Sequence, residues 1–171
     1  AGYDVTKYLI EQGHTNIGGI FKVDDRQGKE RLRGYIQACY EYGVEYNSKH
    51  VLIYETETLL KVLQDQATPI VKNKQVTGFI CYNDKVAIEL LNIIWQLGFQ
   101  VPDDFSIVSH DNSTLSSMTK VHLTGVDHPK SDLGQTAAQE LLDYVEGKNE
   151  TMKSHMFKGK IVVKNSVKKL T

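Results

Sequence analysis

Short apolar runs alternate with helical stretches along most of the chain, and this alternation limits the fold more than any other feature. The predicted strands cover residues 17–21, 51–54, 76–82, 105–109, 123–126 and 161–163, and the predicted helices cover residues 3–12, 29–42, 57–66, 84–97 and 133–145. Strands separated by helices of this length are typical of βαβ units. The strands are continuous apolar runs, as expected when both faces are covered. The sequence therefore predicts an α/β fold with a parallel sheet and helices on both faces.

Size and charge exclude several classes of function. At 171 residues the chain can bury one well-packed core. Its 20 basic and 21 acidic residues give a net charge of −1, whereas a domain that binds duplex DNA usually has a basic excess. No apolar run approaches the roughly 20 residues that cross a bilayer. We expect this stretch of chain to bind neither nucleic acid nor a membrane.

Motifs for metals, cofactors and covalent catalysis do not occur in the sequence. The two cysteines, Cys39 and Cys81, are far apart, and the six histidines show no H-x-x-x-H or H-E-x-x-H spacing. The phosphate loop, the dinucleotide fingerprint and the nucleophile elbow do not occur either. We therefore expect no metal, no cofactor and no catalytic residue, and we predict that the protein is not an enzyme.

Polar residues follow the predicted strands, at the edge where open parallel sheets bind their ligands. These residues are Lys22, Asp24, Asp25 and Gln27 after the first strand, Tyr54 and Glu55 after the second, Asn83 and Asp84 after the third, His110, Asp111 and Asn112 after the fourth, and Asp127 and His128 after the fifth. Arg31, about one turn inside the next helix, can point back to the same edge. Such donors and acceptors around an aromatic ring suit a small polyhydroxyl ligand, since each hydroxyl needs both.

Several of these residues also have an interpretation that needs no ligand. Asp84 opens a helix, so it is a candidate N-cap. Residues 111–113 can form an Asx turn, and Arg31 can pair at the surface with an acidic neighbour such as Asp25. His14 follows a glycine and can help to end the first helix. The residues alone leave these alternatives open.

Five stretches together resemble the effector-binding domain of the LacI/GalR family of bacterial transcriptional repressors. They are residues 8–17 (YLIEQGHTNI), 31–35 (RLRGY), 81–87 (CYNDKVA), 101–108 (VPDDFSIV) and 123–129 (LTGVDHP). They occur in the order and at the spacing of the family. Residues 20–28 and 127–131 are most similar to the arabinose-responsive branch of this family.

The resemblance implies a periplasmic-binding-protein-like fold of two subdomains joined by three crossover strands. A monosaccharide, L-arabinose in this branch, would bind in the cleft between them. Arg31 matches the family's sugar-contacting arginine, Asp111 its cleft aspartate and His128 a polar crossover residue. Asn83 and Asp84 match the N-D pair at the cleft and hinge.

The other site assignments combine the strand ends with the resemblance. Asp25, Gln27 and Lys22 are expected to contact the effector, with Tyr54 as a stacking platform. His14, Asp84 and Asp127 are expected at the hinge or as caps. On this interpretation, Arg31→Ala weakens sugar binding and leaves the stability of the sugar-free protein nearly unchanged.

Two positions depart from the family's pattern. The usual G-Y-D-D is replaced by residues 109–112 (SHDN), and a lysine, Lys164, stands for the arginine of R-x-S. The first departure weakens the prediction for the loop after the fourth strand. The second alters a packing or ion-pair contact.

The resemblance also predicts how the chain is divided. Residues 1–15 and 126–151 are assigned to the N-terminal effector subdomain, and residues 16–125 and 152–171 to the C-terminal one. Members of the family carry a DNA-binding module and most of the first subdomain before the helix predicted over residues 3–12, and this chain starts there without Met. The resemblance therefore implies a truncated piece of a cytoplasmic, homodimeric repressor that contacts operator DNA through a missing N-terminal module. Two alternatives stay open at this point, a sugar-binding protein of a transporter and a sugar-processing enzyme.

Overall fold

Six strands form one sheet in the computed structural model, which describes residues 1–170. They are β1 (Ile17–Lys22), β2 (Val51–Tyr54), β3 (Gly78–Cys81), β4 (Ser106–His110), β5 (Thr124–Asp127) and β6 (Lys160–Val162). The order across the sheet is β2-β1-β3-β4-β5-β6. β1 to β5 pair in parallel, and β6 runs antiparallel to β5. The predicted α/β fold is confirmed, and β6 corrects the expectation that the whole sheet is parallel.

Six α-helices accompany the strands of the described chain. They are α1 (Gly2–Glu11), α2 (Arg26–Glu41), α3 (Leu59–Val62), α4 (Thr68–Lys72), α5 (Asp84–Gln96) and α6 (Lys130–Val145), with short 3-10 turns at Ser48–His50 and Thr114–Ser117. A π-helical turn, Leu63–Ala67, joins α3 to α4. The helix predicted over residues 57–66 therefore continues to Lys72. Pro69 is tolerated there because it lies in the first turn of α4.

Apolar side chains fill a core on each face of the sheet. On one face Phe79 of β3 packs with Leu90 and Leu91 of α5. On the other face its neighbour Ile80 packs with Leu9 of α1. Successive residues of a strand point to opposite faces, so β3 contributes to both cores. Both faces of the sheet are buried, which explains why the strands are continuous apolar runs in the sequence.

The first and last helices pack differently. α1 buries Val5 and Leu9 in the core that it shares with α2. α6 buries none of its residues, and Leu141 and Leu142 are each about half exposed. α1 is thus an integral part of the covered sheet, whereas α6 lies largely exposed. The division of the chain between two subdomains stays a prediction.

The sheet positions five strand ends for the site. Because β1 to β5 are parallel, their carboxyl ends meet at one edge, and the polar residues that follow them are brought together there. Within residues 1–170, no helix is both long enough and apolar enough to cross a bilayer.

Candidate functional site

Arg31 lies at the centre of the polar edge. It projects from the second turn of α2 and is only 3% exposed. Its Nη2 lies 3.0 Å from Oδ1 of Asp111, and its Nη1 donates to the carbonyl oxygen of Tyr82. Its Cζ stands 4.7 Å from the centroid of the Tyr82 ring. Two hydrogen bonds and an aromatic face hold the guanidinium in one orientation, so Arg31 is neither solvated nor paired with Asp25.

The loop that presents Asp111 has an unusual backbone. Asp111 has a φ of 95° and Asn112 a φ of 38°, both in the left-handed region. Asp and Asn tolerate this region better than other non-glycine residues, yet each such conformation costs about 1 kcal/mol or more. The backbone carbonyl of Asp111 accepts a hydrogen bond from Lys130 Nζ at 3.1 Å. Contacts from neighbouring segments must therefore stabilise the loop.

Asp84 has a different role from the predicted cap. The N-cap of α5 is Asn83, whose Oδ1 accepts the backbone N–H of Val86 at 3.0 Å. Asp84 is the first helical residue and is 2% exposed. It accepts the hydroxyl of Ser109 at 2.5 Å and both the N–H and the hydroxyl of Ser113 at 2.7 Å. An N-cap precedes the first helical turn, and of two adjacent candidates the sequence interpretation chose the wrong one. Asn83, expected to bind the effector, is used as the cap.

A second group of polar side chains lies at the ends of β1 and β3. Oδ1 of Asp25 caps α2 by accepting the N–H of Gly28 at 2.6 Å. Its Oδ2 accepts the Tyr82 hydroxyl at 2.7 Å and lies 3.2 Å from Lys22 Nζ. Burial raises the pKa of Asp25, but these three hydrogen bonds outweigh it and hold the pKa below its usual value. Gln27 is exposed at the rim, with its Oε1 3.4 Å from the same hydroxyl.

Tyr54 lies beside this group at the end of β2. The side chain is buried, and its ring meets that of Tyr82 edge-on, with 6.2 Å between centroids. A cavity of about 220 Å³ opens between the two tyrosines, and Lys22 and Asn83 also line it. The structure thus places Tyr54 at the same edge, where the prediction put it.

Two histidines lie at the ends of β4 and β5. His110 is fully buried, and its Nδ1 lies 3.0 Å from the carbonyl oxygen of Cys81. Burial, assisted by the charge of Arg31, lowers the pKa of His110 to about 3. The same two causes lower the pKa of the half-buried His128. Both rings are neutral at pH 7, and in the described structure the Nε2 atom of each is buried without a hydrogen-bond partner. Asp127, at the end of β5, is exposed.

His14 lies at the opposite edge of the sheet. The ring is buried, with Nδ1 2.8 Å from Thr77 Oγ1 and Nε2 3.1 Å from the carbonyl oxygen of Lys168. Its backbone N–H bonds to Leu9 and so helps to close α1. His14 therefore ties the amino ends of β1 and β3 to the C-terminal segment, and the structure places it away from the polar edge.

The sequence interpretation missed two residues of this edge. Tyr82 was included in the strand over residues 76–82, but β3 ends at Cys81 and Tyr82 is the first residue of the edge. Tyr82 directly precedes Asn83, which was predicted to follow the strand, and this position was the sequence signal that Tyr82 also lies at the edge. The role of Ser113 could not be predicted from the sequence, because its hydrogen-bond partner, Asp84, lies 29 residues earlier in the chain. In residues 1–170 no three His, Cys, Asp or Glu side chains are grouped so as to hold a metal ion.

Comparison with known proteins decides the family. Residues 6–167 match the family described as periplasmic binding protein-like domain. The chain belongs to this family. The chain is also 38% identical over 173 residues to the arabinose metabolism transcriptional repressor of Geobacillus stearothermophilus, a match that covers 99% of the chain and 48% of that protein. The HTH-type transcriptional repressor PurR of Aliivibrio fischeri is 32% identical over 169 residues, with 97% and 50% covered.

A solved structure shows the same relationship. A transcription regulator from Lactobacillus plantarum matches this periplasmic binding protein-like domain with a TM-score of 0.86 and 29% identity, over 99% of the chain and 64% of that chain. The predicted resemblance to LacI/GalR-type regulators is confirmed, and the curated relatives are transcriptional repressors rather than enzymes. The chain spans about half the length of those relatives.

Proposed function

We propose that this domain forms one wall of a monosaccharide-binding cleft in a cytoplasmic transcriptional repressor, and that the monosaccharide is L-arabinose. The observation that carries the proposal is the arrangement of Arg31, Asp111 and Tyr82 at the carboxyl ends of the strands. It combines a fixed donor, a fixed acceptor and an aromatic ring. A sugar hydroxyl can donate to the carboxylate and accept from the guanidinium.

The charges at this edge favour a neutral ligand. Arg31 is paired with Asp111, and Lys22 lies within 3.3 Å of both Asp24 and Asp25. A ligand that carried a full charge would have to displace one of these partners. The side chain of Asp111 is 38% exposed, so it can accept hydrogen bonds from sugar hydroxyls while it keeps its ion pair with Arg31. The identity is higher to the arabinose metabolism repressor (38%) than to the repressor PurR (32%), which supports the same choice.

The ligand would act on DNA through a part of the repressor outside this chain. A sugar that binds better to one closure of the cleft than to another shifts the population toward that closure. In a homodimer this shift changes the spacing of two DNA-binding modules. The chain's net charge of −1 fits a sensing rather than a DNA-gripping role.

Calorimetry on the full-length repressor tests the proposal. We expect saturable binding of L-arabinose and weaker binding of D-xylose and D-ribose. Asp111→Asn should weaken L-arabinose binding at least tenfold, because a carboxylate accepts charge-assisted hydrogen bonds that an amide does not. The matched control is Asp103→Asn, at a side chain that is 75% exposed and lies before β4, on the amino side of the sheet opposite the polar edge. Tighter binding of D-xylose or D-ribose than of L-arabinose would overturn the proposal.

A gel-shift assay tests the regulatory part. The full-length protein should bind its operator, and L-arabinose should weaken that binding. The 171-residue chain alone should give no operator-specific shift at low salt. Specific nanomolar binding by this chain would contradict the proposed division of labour.

A further inference from the structure

We propose that Asp84 is a positioning residue, which locks the loop after β4 and so sets where the carboxylate of Asp111 stands relative to Arg31. The inference rests on the proposed function, since it concerns the same ligand site. It assigns Asp84 neither to the cap of α5 nor to direct contact with the ligand.

The start of α5 leaves the Asp84 carboxylate free for this task. Asn83 accepts the N–H of Val86, one of the first-turn donors that have no partner within the helix, so the helix does not need Asp84 as its cap. The positive end of the helix dipole favours a negative charge at its first residue. A carboxylate that is 2% exposed needs hydrogen-bond donors, and those donors come from β4 and the loop that follows it.

Asp84 contacts the loop at the residue that directly follows the two residues in the left-handed conformation. Asp111 and Asn112 have positive φ angles, and Ser113 is the next residue. Both the N–H and the hydroxyl of Ser113 donate to the same oxygen of Asp84, Oδ2, at 2.7 Å. Two donors on one residue fix both the backbone and the side chain of Ser113. The chain then has little freedom left at the two residues before it.

The far side of the loop is supported as well. The hydroxyl of Ser116 donates to the carbonyl oxygen of Ser113 at 2.7 Å, and Lys164 Nζ donates to the Ser116 hydroxyl at 2.7 Å. Lys164 is the residue that replaces the family's arginine. An unbroken series of hydrogen bonds and peptide links therefore runs from Asp84 through Ser113 to Asp111, which contacts Arg31 at 3.0 Å.

A double-mutant cycle in the full-length protein separates this role from a general effect on the fold. The variants are Asp84→Asn, Asp111→Asn and the two combined, and the quantity measured is the Kd for L-arabinose. Asp84→Asn should raise the Kd about tenfold. At metal sites, mutating a residue that holds a ligand in place lowers the affinity by about 10- to 100-fold, and the expected effect is at the lower end of that range. In the Asp111→Asn background the same change should have almost no effect. Fully additive effects would overturn the proposal.

Ser109→Ala is the matched control. It removes the other hydrogen bond to Asp84 and keeps both bonds from Ser113, so we expect a Kd within about twofold of the wild type. If Asp84→Asn does not fold, Ser113→Ala replaces it in the cycle. That variant loses one of the two bonds to the loop, and we expect about a threefold rise in Kd.

Hydrogen exchange of residues 110–117 gives a readout that does not depend on the sugar. Without ligand, Asp84→Asn should speed amide exchange in this segment at least tenfold, whereas Ser109→Ala should not. If exchange in Asp84→Asn matches the wild type, the proposal is wrong whatever the ligand. If wild-type protein fails to bind L-arabinose but the loop loses protection in Asp84→Asn, the proposed ligand is wrong and the positioning role stands.

Discussion

The hydroxyl of Tyr82 lies 2.7 Å from Oδ2 of Asp25, and this contact joins the end of β3 to the first turn of α2. Asp25 is at the same time the N-cap of that helix. Arg31, in the second turn of α2, donates to the backbone carbonyl of Tyr82 and covers its ring. One tyrosine therefore sets the position of α2 relative to the sheet, and α2 carries the arginine of the site.

Tyr82→Phe is expected to loosen this link without changing the core. The variant removes a hydrogen bond to a charged acceptor in a side chain that is 9% exposed, and it should lower the free energy of unfolding by about 1–2 kcal/mol. Urea denaturation measures the change. Tyr40→Phe, at a tyrosine 87% exposed, is the matched control and should have no effect. Equal stability of both variants would mean that the hydroxyl contributes nothing.

Arg31→Ala is expected to reduce both ligand binding and stability. The sequence alone predicted almost no loss of stability, but the buried guanidinium is the donor to the Tyr82 carbonyl. Leaving that oxygen without its donor costs roughly 1–3 kcal/mol. Thermal denaturation without sugar checks this, and Arg33→Ala, at an exposed neighbour on α2, should leave the midpoint unchanged. A wild-type midpoint for Arg31→Ala would restore the original prediction.

Two helical glycines should respond in opposite directions to the same change. A Cβ at Gly34 of α2 would lie 2.5 Å from the backbone nitrogen of Tyr3 in α1, whereas one at Gly134 of α6 would meet nothing within 4 Å. Gly34→Ala must push α1 and α2 apart and should destabilise the protein by about 1–3 kcal/mol. Gly134→Ala should stabilise it by about 0.5–1 kcal/mol, because alanine is the better helix former. Chemical denaturation of both variants measures the change in the free energy of unfolding. Changes of the same sign in both variants would refute the packing argument.

Stability should fall in mild acid. Burial lowers the pKa of His14 and His128, and it lowers that of His110 to about 3 against 6.5 in an unfolded chain. Below pH 6.5 the unfolded chain therefore binds protons that the folded protein does not. The free energy of unfolding is highest above this pH and decreases as the pH falls toward 3, by up to about 1.4 kcal/mol per pH unit from His110. His14 and His128 act in the same direction.

The contribution of His110 to this pH dependence can be isolated. His110→Asn keeps a donor near the carbonyl oxygen of Cys81 and removes the titrating ring. The slope of unfolding free energy against pH between 5 and 6.5 should become shallower than in the wild type. The exposed His122→Asn serves as control and should keep the wild-type slope. An unchanged slope in His110→Asn would show that this ring does not titrate on unfolding.

The sequence was sufficient for most of the sheet because its signals are local. Apolar runs followed by polar residues mark the strands, and the rule for strand ends correctly gathered Lys22, Asp25, Arg31 and Asp111 at one edge. The direction of β6 could not be predicted, since three residues carry no information about which way they pair. The π-helical turn at Leu63–Ala67 was missed because it interrupts the regular helical period.

The site was less predictable because its contacts join distant segments. Asp84 and Asn83 are adjacent and both suit a helix cap, and only the position of Ser113 distinguishes them. In the same way, Tyr82 reads as the last apolar residue of a strand until Asp25 and Arg31 are placed beside it. Residue type predicts which groups can bind, but the fold decides which of them meet.

The pairing of Arg31 with Asp111 also couples binding to folding. The two residues are 80 positions apart in the chain, so their side chains meet only after β1, β3 and β4 have assembled in order. An unfolded or half-assembled chain has no such site, and any ligand held there adds its binding free energy to the folded state alone. At a hundredfold excess over its Kd, a ligand would add about 2.7 kcal/mol, and a cell rich in that ligand would hold more of the protein in its folded form.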